Sequence, residues 1–225
     1  MNAELLHSLC SVTSSGSTPL YGGSQMLSPD PVIHSWGCGA VAVLELLMYL
    51  SKYHGYNMDD IFGGAVGDGT ISVDDYNNLL EIIRKKYVPL LPHFGTNGVF
   101  LAAGINAAFR SHHIPLHARW GLSGRKIFDE ITSALVRDIP VIISIGPNFP
   151  IFWEAKNVQL YSGLATRGLE KNAFVKAHYL IVTGIDDEYL TVSSWGRKYY
   201  ISRSEYSVYA AKNSTFVLSN IVIIK

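Results

Sequence analysis

Cys38 stands at the head of one apolar run, Cys38-Gly39-Ala40-Val41-Ala42-Val43-Leu44, and His178 opens another, His178-Tyr179-Leu180-Ile181-Val182. A thiol at a helix N-terminus meets the positive end of the helix dipole, which favours the nucleophilic thiolate. An imidazole brought beside it can hold the proton and return it to a leaving group. Either residue alone is commonly a plain core residue, but the two together, in this order, predict a cysteine hydrolase. Gly37 and Gly39 flank the sulfur. They predict a tight turn into the helix and an open approach for a substrate backbone. A third segment, Ser193-Ser194-Trp195-Gly196, follows His178 after one hairpin strand. A hydroxyl of Ser193 or Ser194 there can hold one ring nitrogen while the other faces the thiol, with Trp195 shielding that bond from water.

Those residues need elements to carry them. Residues 11–35 are rich in Ser, Gly and Pro and read as an extended arm or loop, so 1–30 is expected to be an arm. A largely apolar helix is predicted from Cys38 to Tyr53, central and buried. Ser72-Val73-Asp74-Asp75 resembles a capping box and precedes a helix with Tyr76, Leu79, Leu80 and Ile83 on one face. Further helices are predicted over 98–111 and, after Ser123 as N-cap, along Ile127, Phe128, Ile131 and Leu135. Strands are predicted at 116–120, 141–145, 179–185, 189–193, 198–202 and 215–224, with a hairpin turn at Asp186-Asp187-Glu188. The segments 63–70 and 146–176 read as loops that shape a groove. Helices thus dominate the first half and strands the second, which predicts an α+β fold. The expected organisation is a single domain over 1–225, with a mainly helical lobe at 31–139, a mainly β lobe at 140–225, and Cys38 and His178 facing each other between them.

The composition narrows the function. The 225 residues carry no net formal charge, and 48% are hydrophobic. No basic field points to nucleic acid, and no apolar run is long enough to span a bilayer. The first residues lack the pattern of a signal peptide, so a cytoplasmic location is the default expectation. There are two cysteines, Cys10 and Cys38, which fit two free thiols better than a disulfide framework. His112, His113 and His117 cluster in sequence without a matching Cys or carboxylate pattern, and no metal site is expected there. The glycine-rich 63–69 segment has no following Lys-Ser/Thr and is not read as a phosphate loop.

The chain resembles the papain-like cysteine peptidases, and more closely the bacterial C39-like branch. Trp36-Gly37-Cys38-Gly39-Ala40 is similar to the block at the head of their nucleophile helix. His178-Tyr179-Leu180-Ile181-Val182-Thr183-Gly184-Ile185-Asp186-Asp187 is similar to the C39-like histidine block, and Ser193-Ser194-Trp195-Gly196 to Asn-Ser-Trp-Gly. Residues 138–143 resemble the strand before the histidine strand, so the likeness spans about 31–196.

The resemblance implies a two-lobed papain-like fold, a central nucleophile helix packed on an antiparallel sheet, and hydrolysis of peptide or isopeptide bonds. Cys38 would be the nucleophile, His178 the general base and acid, and no cofactor would be needed. Two positions depart from the pattern. Serine replaces the Asn or Asp that orients the histidine, with Asp186 or Asp187 as substitutes. The family's oxyanion glutamine falls about where Val32 stands, which leaves Gln25, His34 and the Cys38 backbone N–H as candidates. The partner would be a peptide or protein substrate. An acyltransferase on the same scaffold, or a peptide-binding module that has lost efficient chemistry, is the alternative.

Overall fold

The computed structural model describes residues 2–14, 18–93, 95–150, 156–163 and 168–225. Asp30 starts the helical half. Its Oδ1 accepts from the N–H groups of Val32 and Ile33 and caps α1 (Pro31–Trp36), with Pro31 in the first turn. Gly37 closes α1 and opens α2 (Cys38–His54). Most of α2 between Gly39 and Leu50 is buried, and Gly55, at φ 69°, ends it in the left-handed region. Each fully buried side chain on it, such as Leu44 or Leu47, contributes about 1.5–3 kcal/mol of transfer free energy.

Helices α4 (Val73–Lys86) and α5 (Gly98–Ser111) pack on α2, α3 (Asp59–Phe62) packs on α4, and α6 (Ile127–Val136) packs on the strands of the sheet. Ser72 caps α4 by accepting from Asp75 N–H, as the sequence predicts. Helix α6 begins at Ile127 without a side-chain cap. Ser123 instead turns onto Arg125 N–H, one turn too early to cap it.

The strands are β1 (Ala3–Glu4), β2 (Ser11–Thr13), β3 (Thr70–Ser72), β4 (Ala118–Trp120), β5 (Val141–Ile145), β6 (Val158–Ser162), β7 (Glu170–Val175), β8 (His178–Ile185), β9 (Tyr189–Ser194), β10 (Arg197–Ser202) and β11 (Val222–Ile224). Seven of them form one antiparallel sheet. Strands β5 and β1 pair with one edge of β8, and β9, β10, β6 and β7 follow from its other edge. The register pairs Ile145 with His178 and Val141 with Val182. Helix α2 lies against β8 and β5, which brings the Cys38 helix onto the His178 strand. The architecture is α+β, with the helices of the first half packed on the sheet of the second. Among the described residues no helix is long and apolar enough to cross a membrane.

Five readings are corrected. The arm is not uniformly extended: β1 joins the main sheet, β2 pairs in parallel with β3, Gln25–Leu27 form a 3-10 turn, and Pro31 begins a helix. The 146–176 segment contains the β6–β7 hairpin, whose strands carry enough polar residues to read as loop; its residues 151–155 and 164–167 lie outside the described residues. The 215–224 strand shrinks to β11, because Thr215 O accepts from Leu218 and Ser219 N–H and curls the chain into a turn. Helix α7 (Arg203–Lys212) goes unpredicted, although Ser202 caps it on Glu205 N–H. The 63–70 segment does not border the Cys38 end of α2. Gly69 packs on Lys52 at the opposite end, about 20 Å away along the helix axis.

Candidate active site

Cys38 occupies the first position of α2, where the helix N-terminus faces it. Packing requires both of its flanking glycines. A Cβ on Gly37 would run into the Ile33 carbonyl, and one on Gly39 would lie 2.6 Å from the Thr96 methyl. The residue is partly exposed, and the main-chain N–H groups of Tyr179 and Gly39 lie on the side of its sulfur and favour the thiolate. Burial of the sulfur nevertheless pushes the thiol up from its ordinary value.

His178 opens β8 directly after Ala177, whose φ of 49° kinks the chain into the strand. The ring is buried, and loss of solvent pushes the imidazole down to about 4. Both shifts favour a neutral thiol and a neutral imidazole at rest. This differs from the thiolate that the helix position alone predicts, because desolvation opposes the helix dipole.

Of the two serines, Ser194 reaches the ring, with its Oγ 2.8 Å from His178 Nε2. Ser193, the other candidate, points away from the ring and donates to the Tyr21 carbonyl at 3.0 Å. Strand alternation explains the difference, since adjacent residues face opposite sides of a sheet. Asp186 is also excluded: its Oδ1 accepts from Glu188 and Tyr189 N–H in the β8–β9 turn. Ser194 and Arg197 pair across a two-residue turn in which Trp195 and Gly196 have φ 48° and 71°. Positive φ at both central residues is the hairpin geometry that suits twisted strands, but it is strained for tryptophan. The Trp195 ring stacks on the His178 ring at 4.7 Å, and that contact offsets the strain.

Gln25 and Cys38 line the same cleft, together with His178, Tyr179, Ser194 and Trp195. The arm folds back so that Gln25 is buried, with one amide N–H donated to the His34 carbonyl at 2.9 Å. His34 therefore contributes its backbone, and its imidazole is not among the residues lining the cleft. The cleft is narrow, with about 20 Å³ of free space, room for one water.

The chain matches no family model, no curated protein and no solved structure.

Chemically, the cleft brings together a thiol, a buried imidazole held by a hydroxyl at one nitrogen, and a side-chain amide. Such a set can deprotonate a thiol and polarise a carbonyl. Cys10 takes no part. It is buried in the core, and desolvation together with the nearby Glu45 carboxyl pushes it up to about 12. Sequence reasoning missed Glu45. It lies seven residues after Cys38 on the same helix face, and it lines the cleft with Val41 and Ala42. The available signal was an acid inside an otherwise apolar helix.

Proposed function

We propose that this protein is a cysteine peptidase of papain-like design, acting on a peptide or protein substrate. The observation that carries the reading is the Ser194-bound His178 ring in the same cleft as Cys38 and Gln25. With Nε2–H donated to Ser194 Oγ, Nδ1 keeps its lone pair and takes the Cys38 proton as sulfur attacks the substrate carbonyl. The Cys38 backbone N–H and the second amide N–H of Gln25 receive the oxyanion. The His178 Nδ1 proton then passes to the leaving amine, giving a thioacyl intermediate on Cys38. Water, deprotonated by the same nitrogen, releases the acid and restores the thiol.

A neutral resting pair fits this order of events, with proton transfer accompanying attack. The short Ser194 hydroxyl and the narrow cleft favour a second reading, a peptide-binding module with slow chemistry. Intact-mass analysis after incubation with a peptidyl chloromethyl ketone decides between them. The peptidase gains one adduct, lost in Cys38→Ala and slowed in His178→Ala. An unmodified Cys38, with no cleavage of a mixed peptide library, refutes the peptidase reading.

A further inference from the structure

Glu45 is 2% exposed, in the part of α2 that is otherwise lined with Leu, Val and Met. Its Oε1 accepts from Gly23 N–H at 2.6 Å. Its Oε2 is buried and has no hydrogen-bond partner among the described residues. A leucine would fill this position without desolvating an acid, so the carboxyl's one hydrogen bond points to its role.

That bond is one of four that seat the main chain of residues 21–23. Ser193 Oγ donates to Tyr21 O, Tyr21 N–H donates to Gly196 O at 2.9 Å, and Gly196 N–H donates to Gly23 O at 3.0 Å. The fit is close on every side. A Cβ on Gly22 would lie 2.9 Å from Glu45 Oε2 and 2.8 Å from Ser193 Oγ, and one on Gly23 would collide with the Tyr76 hydroxyl. Ser24 then accepts from Met26 N–H and starts the 3-10 turn that carries Gln25 into the cleft. Of these four, only the Glu45 bond reaches the helix that bears Cys38 and the other three reach β9 and the Trp195 turn, while the Gln25 side chain rests on the His34 carbonyl of α1.

We propose that Glu45 is a positioning residue: by holding Gly23 N–H it sets the Gln25 amide against Cys38. The inference rests on the peptidase reading, with Gln25 as the oxyanion donor. Glu45 touches neither substrate nor sulfur in this role. It couples the height of the Gln25 turn to the helix whose first residue attacks.

The chain has two glutamines, Gln25 and Gln159. Protein carrying 15N in its glutamine side chains therefore shows two amide pairs. Both are buried and bonded to carbonyls, so Gln159 serves as an internal control. Glu45→Met is expected to shift the Gln25 pair and speed its solvent exchange while leaving Gln159 in place. It is also expected to lower kcat about 10–100-fold with KM and Cys38 alkylation within about threefold of wild type. Glu45→Gln, which keeps an acceptor for Gly23 N–H, restores the Gln25 pair and recovers kcat to within about fivefold. Should Glu45→Met not fold, Glu45→Asp, one methylene too short to reach Gly23, is read in its place.

An unmoved Gln25 pair, or an equal disturbance of both pairs, overturns the proposal. So does a kcat loss that adds to that of Gln25→Ala in the double variant. The amide measurement needs no turnover. A wild-type protein that hydrolyses nothing therefore refutes the peptidase reading, and the Gln25 signals alone then decide whether Glu45 sets the Gln25 amide.

Discussion

Glu45→Gln should make the alkaline side of the stability curve flatter. Burial pushes the carboxyl from its ordinary 4.5 up to about 8, and the Gly23 N–H only partly counteracts this. An acid with a raised folded pKa is fully stabilising below the unfolded pKa of 4.5. That contribution is lost as pH rises through 8, because the unfolded chain releases its proton first. Between pH 5 and pH 8 this amounts to about 3–4 kcal/mol for a shift of about 3.5 pH units at about 1.36 kcal/mol each. Neighbouring ionisable groups do not share the titration: burial raises Tyr21 and Tyr76, and Cys10 stands at about 12. His178 acts in the opposite sense. Its neutral form is favoured in the fold, so its contribution is present above 6.5 and is lost as pH falls toward 4. That term is common to wild type and variant and cancels in the comparison. The assay is urea unfolding at half-unit steps from pH 5 to 8.5. The wild-type midpoint should fall relative to Glu45→Gln by ~1–2 M over that range, for an m-value of ~2 kcal/mol/M. Parallel midpoint curves for the two proteins would refute the reasoning, because they would mean that Glu45 does not change its protonation across that range in the fold.

Ser194→Ala removes the only side-chain hydrogen bond to the buried His178 ring among the described residues. It should cost about 1–3 kcal/mol of ring orientation, read as a ~10-fold or larger fall in kcat/KM; Ser193→Ala, which frees the Tyr21 carbonyl instead, should leave the His178 titration seen by NMR in place. Cys38 should react with iodoacetamide at neutral pH at least ~100-fold faster than Cys10, which is buried with a raised pKa. His178→Ala should slow Cys38 and leave Cys10 unchanged, as tracked by peptide mass spectrometry; equal rates at the two thiols would remove the case for a catalytic sulfur.

Much of the scaffold is written in local patterns. The start of α2 at Cys38, the Ser72 cap and the run Val141–Ile145 are short-range signals, and each element forms where its residues predict. The misses are places where tertiary partners outweigh local preference. Thr215-Phe216-Val217 has strand character, but a turn closed by Thr215 takes it. Glu170-Lys171-Asn172 is polar enough for a loop, yet pairing with β6 holds it as an edge strand. At the site, Cys38, His178 and the hairpin bearing Ser194 and Trp195 stand out because each opens or closes an element. The choice of Ser194 over Ser193 depends on the face each presents, which one register step reverses. Gln25 and Glu45 are harder still. Their meeting at the cleft depends on a polar segment folding back across β9, and no periodicity encodes that contact.

The way the first residues are tied down also has a consequence in time. Ala3 pairs with Ile185, and Ser193 reaches Tyr21 across 172 positions. Contacts so distant in sequence close late, since a long loop must be ordered before it is rewarded. A chain emerging from the ribosome therefore exposes α2 and its thiol early. The thiol and the Gln25 turn meet the imidazole, its serine and the Trp195 turn only once β8 and β9 appear. Full assembly of the cleft therefore waits until β8, β9 and the Trp195 turn have followed α2 out, and the thiol precedes its cleft partners in synthesis.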